Sequence, residues 1–188
     1  MTDRVRVIYR RPWRIEITQR AGVARLVADT VLVAAIARAL EAAGAPTPAT
    51  IGLILTGDEE IAHLNASQMG HEGPTDVLSF PLLPPGAFPN HLGKDAGPAA
   101  IEADDGWPSH RGRVHLGEIV TSVERAIEQA TEGRGGHTGD VRWSPADELR
   151  LLVTHGVLHV CGWDHADPVE ERAMRALESQ LLGMPLTG

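Results

Sequence analysis

Val5, Val7 and Tyr9 alternate with polar neighbours, as do Trp13, Ile15 and Ile17, so the chain opens with two strands of period two. From Ala28 to Gly44 the period changes. Leu, Val, Ile and Ala recur at helical spacing and the run stops at Gly44-Ala45-Pro46. Ala49 to Thr56 (ATIGLILT) is short, apolar and β-branched, which predicts a buried strand. Thr56-Gly57-Asp58-Glu59 has the T-x-x-E spacing of a capping box and predicts a helix through Ile61 and Leu64. Asp76 to Phe80 predicts another strand, ended by Pro81, and Val114 to Thr121 predicts a further one. Thr121-Ser122-Val123-Glu124 is a second capping box, ahead of a helix through Ala130. Ser144-Pro145-Ala146-Asp147 puts Ser at the N-cap, Pro at N1 and an acid at N3 of a helix that runs to Cys161 and stops at Gly162. Asp167-Pro168-Val169-Glu170 starts the last helix, with Met174, Leu177 and Leu181 on one face. Strands and helices alternate, so the expected class is α/β or α+β around a small mixed sheet.

Two stretches lack periodicity. Residues 82–113 are rich in Pro, Gly, Ala and Asp and read as a surface insertion, and GRGGHTGD (133–140) reads as a loop. The 188 residues otherwise suit one domain, 1–188, with its own core. The single cysteine, Cys161, forms no intramolecular disulfide. The start carries no apolar leader pattern, and the most apolar run, Leu26 to Leu40, is broken by Asp29 and Arg38 and is too short to span a bilayer. A cytoplasmic protein without membrane partners is expected. Net charge, 17 − 25 = −8, excludes a generic cationic coat for nucleic acid. It is unevenly spread: residues 1–25 hold seven arginines against Asp3 and Glu16. Arg10, Arg11 and Arg14 lie on strands that could border a groove for a polyanion, or they guard a sheet edge.

The chemistry concentrates in Thr154-His155-Gly156-Val157-Leu158-His159-Val160-Cys161-Gly162-Trp163-Asp164-His165. His155 and His159, four apart on a helix, share one face about 6 Å apart. A left-handed stop at Gly162 would fold the chain back so that His165 reaches the same ion. H-x-x-x-H-x-x-G-x-x-H is the ligand spacing of metzincin-type zinc sites. Three imidazoles suit one Zn²⁺ per chain, with a position left for water. Gly156 stands where H-E-x-x-H peptidases carry their general base, which argues against ordinary peptide hydrolysis.

These residues, with Leu64-Asn65, Pro74 to Pro81 (PTDVLSFP) and Leu116-Gly117-Glu118-Ile119-Val120, resemble the signature motifs of the YbeY-type endoribonucleases over about Ala49 to Leu182. The resemblance implies a zinc-dependent, single-strand-specific endoribonuclease in the cytoplasm. It would act on ribosomal RNA precursors, with 16S rRNA 3′-end processing, ribosome quality control and ribosomal subunits as its context. It also implies a roughly four-stranded sheet with the metal in a cleft formed by a helix and the following turn. Trp163 stands where that family usually has Tyr, Glu118 where it has Asp, and Gln68-Met69 where it commonly has Tyr-Arg. Candidates for catalytic roles are Asp164, Glu118 and Asp76. Each has a plainer alternative: a turn or cap for Asp164, a strand residue for Glu118, and turn chemistry for Asp76. The rival functions are a metallopeptidase-like hydrolase and a non-catalytic ribosome assembly factor with a structural zinc.

Overall fold

The computed structural model describes residues 2–89, 109–110, 112–132 and 143–183. Its strands are β1 (Arg4–Arg10), β2 (Trp13–Gln19), β3 (Ala49–Thr56), β4 (Val77–Pro81), β5 (Ser109–His110) and β6 (Arg113–Ser122). Its α-helices are α1 (Asp29–Ala42), α2 (Asp58–Leu64), α3 (Val123–Glu132), α4 (Pro145–Val160) and α5 (Pro168–Leu182). One mixed sheet runs β1-β2-β3-β6-β4, with the two-residue β5 beside β6. β2, β3 and β6 are mutually parallel, and β1 and β4 close the two edges antiparallel. Among the described residues five long strands form, one more than the resemblance implied, and each coincides with a run that alternation or β-branching marks in the sequence.

The alternation decides which face is covered. Trp13, Ile15, Ile17, Ile51, Leu53, Leu55 and Ile119 join one core with Leu32, Ile36 and Leu40 of α1 and Leu149, Val153 and Val157 of α4. Among the described residues, the other face is packed by α2, through Ile61 against Leu78 and Val120. Among the described residues no helix is long and apolar enough to cross a membrane.

Both T-x-x-E boxes differ from expectation. Thr56 is the last residue of β3, Gly57 is the N-cap of α2 without a side-chain cap, and the Thr56 hydroxyl donates to Glu60 instead. For α3 the cap is the Ser122 hydroxyl, accepting from the Arg125 amide at 3.1 Å. Glu124 reaches across to accept the Asp58 amide at 2.6 Å, so it caps α2 rather than its own helix. Strand ends fix these positions, and a four-residue pattern does not see them.

The insertion boundary also moves. Leu83 and Phe88 are buried in the main core, and a short 3₁₀ turn (Pro85–Ala87) lies between them. Residues 82–89 are therefore part of the packed body. Most of the remaining insertion, 90–108 and 111, lies outside the described residues, as does the 133–140 loop.

β1 sits at the sheet edge opposite β4. Four strand spacings separate them, about 19 Å. The arginines of the first hairpin consequently do not border the groove beside β4 and α4; strand order, which the sequence does not announce, put them at the far side.

Candidate metal centre and cleft

α4 starts as its sequence dictates. The Ser144 hydroxyl accepts the Asp147 amide, Asp147 returns a contact to the Ser144 amide, and Pro145 occupies the first turn. The helix is buried almost all round, with His155 and His159 half-buried toward a cleft. It ends as expected at Gly162, whose φ of 82° is the left-handed conformation that glycine adopts without a Cβ penalty. The Trp163 amide bonds the Leu158 carbonyl and the Gly162 amide the His159 carbonyl, both at 3.0 Å, which is a Schellman stop. The reversal brings the exposed His165 back over the helix. Ring centroids lie 4.4 Å apart for His155 and His159, 5.0 Å for His159 and His165, and 5.8 Å for His155 and His165.

One ligand atom from each of the three histidines lies within 4.8 Å of the others. Tetrahedral zinc at about 2.0–2.1 Å places its nitrogens about 3.3 Å apart, so small ring rotations suffice. The hydrogen bonds of the rings say more. His159 Nδ1 is 2.9 Å from the Trp163 carbonyl, which only accepts, so that nitrogen carries the proton. His155 Nδ1 is 2.7 Å from Glu178 Oε1, a carboxylate that likewise accepts. Both Nε2 atoms are then left with lone pairs, yet they face each other at 2.9 Å. Two lone pairs at that distance repel unless an electropositive centre lies between them, so this donor set fits a cation. Burial, then the charges of His155 and His165, push the His159 imidazole down to about 4, so it is neutral at physiological pH, the form in which an imidazole can bind a cation.

Among the described residues no fourth His, Cys, Asp or Glu joins this group. Cys161 is fully buried and faces the core, where desolvation pushes its thiol up. Gly156 has a packing reason. A Cβ there would come within 2.7 Å of Ile119 Cγ2 and 3.2 Å of Val77 Cγ2, and its carbonyl accepts the Ser79 hydroxyl at 3.1 Å. A glutamate does not fit where a peptidase carries its base.

The cleft beside the histidines is about 650 Å³, walled by β4, by the loop before it, and by the turn after α4. Asn65 begins a π-helical turn (Asn65–Met69) and donates from Nδ2 to the Gly73 carbonyl at 2.9 Å, pinning that loop. Met69 and His71 lie on the same wall, and no Lys or Arg is among the described lining residues.

The three acidic candidates are placed differently. Asp164 lines the cleft, and its Oδ1 accepts the His165 amide at 2.7 Å; that bond above all holds its carboxyl low against the opposing effect of burial, with His165 and His159 nearby adding to the lowering. It shapes the turn, and no bond from it to an imidazole ring is present among the described contacts. Asp76 is on the cleft wall with both oxygens engaged, Oδ1 by the Val77 amide and Thr75 hydroxyl and Oδ2 by Gln129. Glu118 is not brought to the histidines. Its side chain lies over Gly52, on the sheet face away from α4, and accepts from His115 Nε2 at 3.0 Å. Two groups that motif spacing does not reveal do touch the rings: Glu178 and the Trp163 carbonyl. Glu178 had one weak signal, an acid inside the apolar face of α5 beside Met174 and Leu182.

Comparison with known proteins gives the family. The model of the family described as "Endoribonuclease YbeY" matches residues 15–184. A protein named Endoribonuclease YbeY from Salinispora tropica is 40% identical over 169 residues, 89% of this chain and 93% of that protein. Its namesake from Thermobifida fusca is 36% identical over 171 residues, covering 89% and 91%. The one from Dehalococcoides mccartyi is 32% identical over 171 residues, covering 90% and 88%. By its family match, and by identities of 32–40% along most of its length, the chain belongs to the endoribonuclease YbeY family.

Proposed function

We propose that this protein is a zinc-dependent endoribonuclease of the cytoplasm, with one Zn²⁺ held by His155, His159 and His165. Its substrate is single-stranded RNA within ribosomal RNA precursors. Its place is 16S rRNA 3′-end maturation and the quality control of ribosomal subunits. The observation that carries this reading is the convergence of two Nε2 lone pairs whose Nδ1 protons are committed elsewhere.

Held by His155, His159 and His165, a zinc ion would supply Lewis acidity toward a phosphoryl oxygen and would lower the pKa of water toward neutrality. The chain does the rest. His159 is already neutral at pH 7, so ligation does not first require loss of a proton. Asp164 holds the turn that carries His165 and adds negative charge at the cleft mouth. Asp76, locked by three donors, gives the wall a fixed acceptor that does not swing toward substrate. The described lining residues include no Lys or Arg, so among them the bound metal would be the chief positive charge offered to a phosphate.

The test is direct. Purified protein should carry one zinc per chain by elemental analysis and should cut ribosomal RNA precursors at ends that disappear with chelator. The double substitution His155→Ala, His159→Ala should abolish both zinc and cleavage. Cleavage that survives in that variant rejects the proposal.

A further inference from the structure

α5 is not a ligand-bearing helix, yet it reaches the metal centre twice. Near its start the buried Glu170 accepts the Asp164 amide at 2.9 Å, holding the turn that presents His165. Two turns later Glu178, 5% exposed, puts Oε1 at 2.7 Å from His155 Nδ1. An imidazole free in water has no such constraint on which nitrogen carries the proton. A carboxylate on Nδ1 makes that nitrogen the donor and leaves Nε2 as the basic site. His155 Nε2 is the atom that converges with His159 Nε2.

We propose that Glu178 is a positioning residue for the metal centre: its carboxylate fixes the Nδ1–H tautomer and the ring plane of His155, and so sets the affinity for the ion. This rests on the zinc reading above. A buried carboxylate is expensive unless its bonds compensate it, so a purely structural role would be served as well by an apolar side chain between α4 and α5. A carboxylate instead adds electron density to the imidazole and strengthens it as a ligand. The same helix face holds Met174, 2% exposed and packed in the main core, one turn before Glu178, which supplies an internal control.

Three variants decide the matter: Glu178→Ala, Glu178→Gln and Met174→Ala. Zinc affinity is read by competition with a chromophoric chelator, and the His155 tautomer by long-range ¹H–¹⁵N correlation on metal-free protein. E178A should bind zinc about 10–100-fold more weakly. Its His155 should lose the Nδ1–H signature. E178Q keeps an acceptor oxygen without the charge, so it should retain the signature and bind zinc between E178A and wild type. M174A should lower the melting temperature while holding zinc as the wild type does. Wild-type affinity in E178A, an unchanged tautomer there, or an equal loss in M174A overturns the proposal. Should E178A fail to fold, E178Q decides: wild-type zinc affinity in it overturns the proposal. A wild type that binds no zinc overturns the metal reading instead, and the tautomer measurement still reports on Glu178 separately.

Discussion

At Gly156 a single missing Cβ sets how closely α4 approaches the sheet. Alanine there gains about 1 kcal/mol of helix propensity. It also drives a methyl to within 2.7 Å of Ile119 Cγ2 in a filled core, and overpacking of that kind costs about 1–3 kcal/mol. Gly156→Ala should therefore destabilise the metal-free protein and, by displacing the adjacent His155, weaken zinc binding. Urea melts and a zinc titration check both. The cost should be smaller in an Ile119→Ala background, and strict additivity of the two changes would show that the contact is not the cause. Far from the site, Arg20 bonds Glu60 Oε2 at 2.8 Å. The Arg20 guanidinium is the main reason the Glu60 carboxyl is held below its ordinary 4.5, against the opposing effect of burial. A carboxyl depressed in the folded state contributes stability above its unfolded pKa and loses it as pH falls through the folded value. Both side chains are about a third exposed. Arg20→Ala should thus cost about 1 kcal/mol at pH 7, and the difference should shrink on acidification below about 4. An equal difference at pH 7 and pH 3 would mean the charge is not what matters.

Among elements, the segment after β4 and the bend in β6 change the picture most. Leu83 and Phe88 are 4% and 3% exposed in the main core. Phe88→Ala should cost about 3 kcal/mol. A Gly-Ser link replacing 82–108 should lose at least as much, because it removes both anchors. Chemical denaturation measures this, and an unchanged midpoint would return 82–89 to decoration. In β6, Gly117 adopts φ 148°, and a Cβ there would lie 2.3 Å from the Phe80 carbonyl oxygen. The register against β3 shifts at this point: Thr50 pairs with His115 but Gly52 with Glu118. A bulge of one extra residue puts His115 and Glu118, three apart, on one face. There the Thr50 hydroxyl, His115 and Glu118 form a chain at 2.8 and 3.0 Å. Glu118 is committed to that sheet face rather than to the cleft.

For the whole molecule the question is how a chain of net charge −8 holds a polyanion. Phosphate contacts give binding its salt dependence, each adding roughly one to the slope of log affinity against log salt. Met69, 41% exposed on the cleft wall, is the place to add one. Met69→Arg should tighten binding of a short single-stranded RNA and steepen the salt slope by about 1. Arg10 on β1 and Arg14 on β2 lie four and three strand spacings from β4, about 19 and 14 Å, with Arg11 in the turn between them, all beyond a Debye length of about 8 Å at physiological salt. Reversing their charges together should leave the affinity for that short RNA within about twofold at 0.15 M salt. Fluorescence anisotropy over a salt series tests both, and a flattened slope in the triple variant would show that RNA reaches the far edge.

What the sequence by itself determined is local. Period-two and helical spacing mark the long strands and helices, because a strand or a helix turn is decided by neighbours a few residues away. His155, His159 and Gly162 foretell three converging imidazoles, because helix geometry and one left-handed residue turn the chain that carries His165 back toward the helix. Ser144-Pro145-Ala146-Asp147 foretells the start of α4 for the same reason. Only the tertiary structure decided the rest. Strand order sent the N-terminal arginines away from the cleft, and the Gly117 bulge turned Glu118 to the wrong face. Packing drew Leu83 and Phe88 out of a segment that composition marks as surface. The return of α5 brought Glu178 to His155 across 23 residues of chain, a contact no local pattern records because its partners meet only when two helices dock.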